Sequence, residues 1–174
     1  EAVAAGADEI DMVIDRGRFL AGHDDAVLAE IRAVKDTCGS AAVKVILEAG
    51  ELGSYAAIRR ASDLALAGGA DFIKTATGKI GISSTPAIAL VMCEAIRDHA
   101  RATGREAGLK LAGGIRTTKA ALGYLALVNE TLGPAWLTPG RFRIGASSLL
   151  DDLLMQRLKD QSGNYSAGAY VATA

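Results

Sequence analysis

Five short apolar or β-branched runs recur along the chain, each followed by a longer stretch with helical periodicity: Glu9–Ile14, Ala42–Leu47, Phe72–Thr75, Leu109–Ala112 and Phe142–Gly145. The segments between them read as helices. Ala26–Cys38 carries Val27, Leu28, Ile31 and Val34 on one stripe, and Tyr55–Ala67 carries Ile58, Ala61, Leu64 and Ala65. Pro86–Ala102 opens on a proline just after Ser84 and Thr85, two candidate caps, and Thr118–Leu132 and Ser147–Leu158 complete the set. Strand and helix alternating through short loops predict βαβ units and a parallel sheet.

The strand phases narrow the choice of sheet. Side chains alternate faces along a strand. Ile10, Met12 and Ile14 oppose Glu9, Asp11 and Val13; Val43, Val45 and Leu47 oppose Lys44, Ile46 and Glu48. Ile73 opposes Phe72 and Lys74, Leu109 and Leu111 oppose Lys110, and Phe142 and Ile144 oppose Arg143. Every strand therefore puts charge on the phase opposite its main aliphatic residues. A half-exposed antiparallel sheet shows the same alternation, but helices separate all five strands, and a parallel sheet is covered on both faces. A barrel whose interior is apolar below and polar at its C-terminal mouth encloses the charged phase better than an open doubly wound sheet. Five units are part of an eight-stranded barrel, which typically needs about 250 residues. The 174-residue chain opens on Glu1-Ala2-Val3, with no initiator Met or signal peptide, and its first residues read as the end of a helix. An absent N-terminal part is expected.

An internal echo places two charges at equivalent points. Ala5-Gly6-Ala7-Asp8-Glu9-Ile10-Asp11 parallels Gly68-Gly69-Ala70-Asp71-Phe72-Ile73-Lys74, each a glycine-rich helix exit feeding a strand, and it aligns Asp11 with Lys74.

Composition excludes several classes of partner. Half the residues are hydrophobic, 22% are charged and the net charge is −1. There is no basic patch for nucleic acid, and the apolar runs are too interrupted to span a membrane. Cys38 and Cys93 lack metal-ligand spacing and fall in predicted helices, as reduced cysteines of a cytoplasmic protein would. His23 and His99 are isolated and receive no role. Nothing in the sequence sets an oligomeric state, and a homo-oligomer is compatible with it.

The chemistry lies on the inward phase. Burying an ammonium forces it to find partners or to lose its proton, and a second ammonium nearby favours that loss. A neutral amine near pH 7 is the nucleophile that forms a Schiff base with a carbonyl. Lys74 and Lys110, on different parallel strands, fit this pairing, with Asp11 as a carboxylate able to relay protons. A structural ion pair inside the barrel would use the same residues. Gly113-Gly114 after the fourth strand, and Gly145-Ala146-Ser147-Ser148 after the fifth, occupy the loops that commonly form a barrel's phosphate site with a helix N-terminus. Ser147 and Ser148 could donate hydroxyls while capping that helix. Thr77, Lys79 and Arg116 stand near the mouth, where contact with phosphate and simple solvation are equally open.

At these residues the chain resembles the deoxyribose-phosphate aldolase family of class I aldolases. The matching segments are Glu9-Ile10-Asp11-Met12-Val13; Val43-Lys44-Val45-Ile46-Leu47-Glu48 with Gly50-Glu51-Leu52; Asp71 through Lys79; Lys110-Leu111-Ala112-Gly113-Gly114-Ile115-Arg116-Thr117; and Arg143 through Ser148. They extend in order to about Leu158. The resemblance implies a (β/α)8 barrel, of which this chain supplies about the last five units, over residues 1–160, with a flexible tail over 161–174. It implies no metal or organic cofactor and a small phosphorylated substrate, 2-deoxy-D-ribose 5-phosphate, cleaved reversibly to acetaldehyde and D-glyceraldehyde 3-phosphate. Carried over, Lys74 forms the Schiff base, Lys110 tunes its pKa, Asp11 joins the proton relay, and Gly113, Gly114, Gly145, Ser147 and Ser148 surround the phosphate. It also implies a tail tyrosine reaching the site, for which Tyr165 and Tyr170 are the candidates. Two alternatives stay open: a Schiff-base aldolase for another phosphorylated carbonyl, and, for the isolated chain, a remnant that turns nothing over.

Overall fold

The alternation of apolar and charged residues builds a single curved sheet with helices on its outer side. The computed structural model describes residues 1–164. Five strands, β1 (Glu9–Val13), β2 (Ala42–Ile46), β3 (Phe72–Lys74), β4 (Gly108–Ala112) and β5 (Phe142–Gly145), pair in chain order, every pair parallel. Between and after them run α1 (Arg16–Leu20), α2 (Asp24–Cys38), α3 (Tyr55–Ala67), α4 (Pro86–Thr103), α5 (Thr118–Leu132) and α6 (Leu149–Ser162). The short helix α1 and two 3-10 turns, Ala49–Glu51 and Pro134–Trp136, were not expected, because each is too short to show periodicity. The first residues form a turn, closed by Ala5 N–H to the Glu1 carbonyl, and among the described residues none before β1 is helical. Helix α6 runs to Ser162, just past the expected domain limit. Residues 165–174 of the expected tail, with Tyr165 and Tyr170, lie outside the described residues.

The aliphatic phase faces the helices. Val43, Val45, Leu47, Ile73, Leu109 and Leu111 are fully buried against Val27, Ile31, Leu66, Met92, Ile96 and Val128. Local signals set the helix starts. Ser54, Thr85 and Thr117 each accept a hydrogen bond from a first-turn N–H and so satisfy a donor the helix cannot. Of the two candidate caps before α4, Thr85 does the capping, while Ser84 turns toward β4. Gly6 and Gly69, the matching glycines of the internal echo, both have left-handed φ, of 97° and 96°. Cys38 and Cys93 are free and buried, and burial pushes the Cys93 thiol up to about 12.

One contact shows how strongly the sheet curls. β1 and β5 are the outer strands, and four spacings in a flat sheet would put them ~19 Å apart. Yet Arg143 Nη1 on β5 lies 2.6 Å from Glu9 Oε2 on β1. The inward side chains thus meet across a concave interior, as in a barrel wall, and not on an open sheet. Arg143 also stacks over the Phe72 ring, 4.7 Å from its centroid, joining β1, β3 and β5 in one layer at the floor. Among the described residues β1 and β5 are paired on one side only.

Phe72 fits under this layer because β4 begins with a glycine. A Cβ at Gly108 would overlap the Phe72 ring. Gly108→Ala should destabilise the fold by about 1–3 kcal/mol, the usual cost of overpacking. Denaturant unfolding checks this; an unchanged midpoint would mean that the ring moves freely.

Candidate active site

The charged phases of β1 to β4 converge on one carboxylate. Asp11 Oδ2 lies 2.7 Å from Lys74 Nζ and 3.6 Å from Lys110 Nζ, and Asp11 Oδ1 lies 3.0 Å from Lys44 Nζ. Lys44 also reaches Glu9 at 2.8 Å, and Glu9 in turn holds Arg143. Because Lys74 and Lys110 touch the same oxygen, they are far inside the ~10 Å over which two charges sense one another in salt. The strand register produces this convergence. Asp11 pairs with Lys44 across β1 and β2, and Lys74 with Lys110 across β3 and β4.

The network shifts several protonation equilibria. Burial pushes the Asp11 carboxyl up, but hydrogen bonds from Lys74 and Lys44, with the charges of Lys74 and Lys110, outweigh it and hold the group down at about 2. The Arg143 and Lys44 hydrogen bonds lower Glu9 to about 2 as well. Lys110 moves down: burial disfavours its ammonium, and Lys74 and Lys44 repel it, against the partial compensation of Asp11. Lys110 is the residue expected to supply the neighbouring charge that tunes Lys74.

Above this network opens a cleft of about 420 Å³. Lys74 and Lys110 line its floor, Thr77, Gly78 and Lys79 one wall, and Gly113, Gly114, Gly145 and Ser147 the other, with Arg116 at the rim. Of the residues expected at the site, Asp11 lies behind the amines and Ser148 lies outside the lining. Ser148 occupies the N-cap of α6, but its hydroxyl makes no capping bond, contrary to the capping role expected of it. The two glycines after β4 differ in purpose. A Cβ at Gly113 would overlap the Ser83 side chain, so Gly113 is needed for packing. Gly114, with φ of 83°, faces open space and leaves its backbone accessible from the cleft. Among the described residues no cluster of three or more His, Cys, Asp or Glu could hold a metal ion.

Sequence reasoning left Lys44 and Glu9 without a role, although both stand on the charged phase. Phase alone cannot tell which inward charges meet; the register and the curvature decide that. Thr75 also went unassigned. Its fully buried hydroxyl donates to the Ala112 carbonyl, accepts from Ala112 N–H and meets Ser84, fastening β3 to β4 directly after Lys74.

A parallel sheet curled around a polar mouth places the chain in the class of (β/α)-barrel folds. It belongs to the DeoC/LacD family of aldolases, whose model matches residues 1–153. The deoxyribose-phosphate aldolase of Mus musculus is 49% identical over 166 residues, covering 95% of this chain and 52% of the mouse protein. The Agrobacterium fabrum deoxyribose-phosphate aldolase is 48% identical over 154 residues, 88% of this chain and 58% of that one. The chain thus spans about half the length of the curated relatives it matches. Among solved structures, the apo form of a putative deoxyribose-phosphate aldolase from Toxoplasma gondii superposes with a TM-score of 0.80 at 28% identity, covering 94% of this chain and 64% of that one. No helix among the described residues is long and apolar enough to cross a membrane.

The acid response follows from the two depressed carboxyls. Their folded pKa values, about 2, lie below the ordinary 3.8 and 4.5. A depressed carboxyl stabilises the fold above its unfolded pKa, and that contribution is lost as pH falls through the folded one. The thermal midpoint should therefore drop steeply between about pH 4.5 and pH 2. Asp11→Asn should lower the midpoint at neutral pH and flatten the acid drop. An equally steep drop in that variant would place the acid sensitivity elsewhere.

Proposed function

We propose that this chain carries the Schiff-base centre of a class I aldolase that reversibly cleaves 2-deoxy-D-ribose 5-phosphate to acetaldehyde and D-glyceraldehyde 3-phosphate. The observation that carries the reading is the sharing of one carboxylate oxygen by Lys74 and Lys110 at the floor of a glycine-walled cleft. It is supported by the family, by relatives that carry the deoxyribose-phosphate aldolase name, and by the position of the cleft at the C-terminal ends of the strands, where barrel enzymes hold their chemistry. A role in deoxyribose phosphate catabolism in the cytoplasm fits the same reading.

Lys74 must lose a proton before it can attack. Asp11 Oδ2 touches both amines and can relay that proton, while the neighbouring Lys110 ammonium favours its loss. The neutral Lys74 Nζ adds to the C1 carbonyl of the open-chain sugar, and loss of water leaves a protonated imine. Removing the C3 hydroxyl proton breaks the C2–C3 bond; its electron pair goes to the imine as an enamine, and D-glyceraldehyde 3-phosphate departs. Protonation of the enamine carbon and hydrolysis release acetaldehyde and restore the amine. Asp11 would relay these protons, with the Lys110 charge beside it. The distal phosphate would lie between Lys79 and the Gly114–Ser147 wall, at the start of α6.

Because both amines touch Asp11 Oδ2, a second reading exchanges their roles, with Lys110 as the attacking amine. Acetaldehyde with borohydride separates the two, because reduction turns a transient imine into a stable secondary amine that peptide mass spectrometry can locate. The label should fall on Lys74, and Lys74→Arg should abolish it, since a guanidinium stays protonated. Lys110→Leu should label slowly at neutral pH and recover as pH rises. Label on Lys110 reverses the roles, and label on neither ends the Schiff-base reading. The trapping is best run on the 174-residue chain and on the same chain supplied with three β/α units from a relative, because a truncated remnant would label only in the second form.

The phosphate wall has its own test. Gly114→Val or Ser147→Ala should weaken 2-deoxyribose 5-phosphate by about tenfold, one charge-assisted hydrogen bond, and 2-deoxyribose much less. Equal losses on the two sugars, in steady-state kinetics, would move both residues away from the phosphate.

A further inference from the structure

The segment following β2 makes an unusual contact with the wall of the cleft. Glu48 is the only non-glycine among the described residues with positive φ; it adopts the left-handed conformation at φ 53°, ψ 49° and is almost fully buried. A residue with a Cβ pays for that backbone, and such strain persists where the surroundings require it. The ladder to β3 continues on both sides of it, with Leu47 N–H to the Lys74 carbonyl at 3.0 Å and Ala49 N–H to the Thr75 carbonyl at 2.9 Å. The left-handed turn between these bonds directs the Glu48 carboxylate across to the next loop, where Oε1 accepts from the Thr77 backbone N–H. Thr77 Oγ1 in turn accepts from Lys79 N–H at 3.2 Å.

The loop over residues 76–84 is otherwise fastened at its far end and along its base. Ser84 bonds to the Ala112 carbonyl and Ser83 packs over Gly113, while Gly50 passes so close beneath Ile82 that a Cβ there would overlap the Ile82 carbonyl. None of these fixes the stretch that lines the cleft. Among the described hydrogen bonds, the one from Thr77 to Glu48 is what ties that stretch to the sheet.

We propose that Glu48 is a positioning residue that holds the loop after the nucleophile strand so that Thr77 and Lys79 grip the phosphate-bearing end of the substrate. A carboxylate bonded to a backbone N–H is stronger than a neutral pair and, buried, has little water to compete with it. A glycine at position 48 would avoid the strain but leave Thr77 untethered. The inference rests on the aldolase reading for the identity of the substrate, though not for the phosphate itself.

Glu48→Gly tests it, because glycine keeps the left-handed backbone without strain while the side chain and its carboxylate are removed. The variant should raise KM for 2-deoxyribose 5-phosphate about tenfold, with a smaller change in kcat, and weaken calorimetric binding of inorganic phosphate by a similar factor. KM for unphosphorylated 2-deoxyribose and borohydride labelling of Lys74 should move far less. Glu48→Gln, whose amide oxygen can still accept from Thr77 N–H, should recover most of the lost affinity. Equal losses on both sugars would make Glu48 a structural brace and overturn the inference. So would phosphate binding that is undetectable in the unmodified protein or unchanged in Glu48→Gly. The phosphate arm needs no turnover. A protein that never labels a lysine yet loses phosphate affinity in Glu48→Gly would end the aldolase reading and leave this one standing.

Discussion

A single carboxylate organises the interior. Asp11 touches three lysine amines, contributed by β2, β3 and β4, from a position on β1. Without it, three ammonium groups would face one another in a partly dry space, at a cost no nearby helix dipole could offset. With it, each lysine has a carboxylate partner, Lys44 meeting Glu9 as well, while Lys110 keeps the longest contact, at 3.6 Å. Burial and the neighbouring ammonium groups still lower the Lys110 amine from its ordinary value.

The floor below this network has a different logic. Glu9, Lys44, Arg143 and Phe72 interlock across β1, β2, β5 and β3, and every charge there has a close partner. A fully paired layer holds the curvature, while the layer above it gathers three lysine amines on the single Asp11 carboxylate. Residues two apart on one strand, Glu9 and Asp11, thus belong to different levels.

Most of the fold was legible in the sequence, because it depends on local signals: the period of two in the strands, the stripes on the long helices, and the threonine and serine caps. The trio of Asp11, Lys74 and Lys110 was legible for the same reason, since alternation and the internal echo put all three on one phase. Lys44 and Glu9 shared that phase but could not be ranked, because their importance comes from register and curvature, which are tertiary. Glu48 left still less trace. A left-handed glutamate looks like any strand-end residue in sequence, and only the backbone shows the strain. The expected capping by Ser148 missed because the serine reached the right position with a backbone that sends its hydroxyl elsewhere.

Under the proposed function the buried cysteines take on another meaning. Aldehydes are electrophiles that add readily to thiolates, and an enzyme that released them would be the first target they meet. Cys93 lies on the buried face of α4 with no exposed surface and is held in the thiol form far above neutral pH. On that reading, nucleophilic reactivity would be confined to amines at the cleft and the softer sulfur withheld, a form of self-protection that follows from helix packing alone.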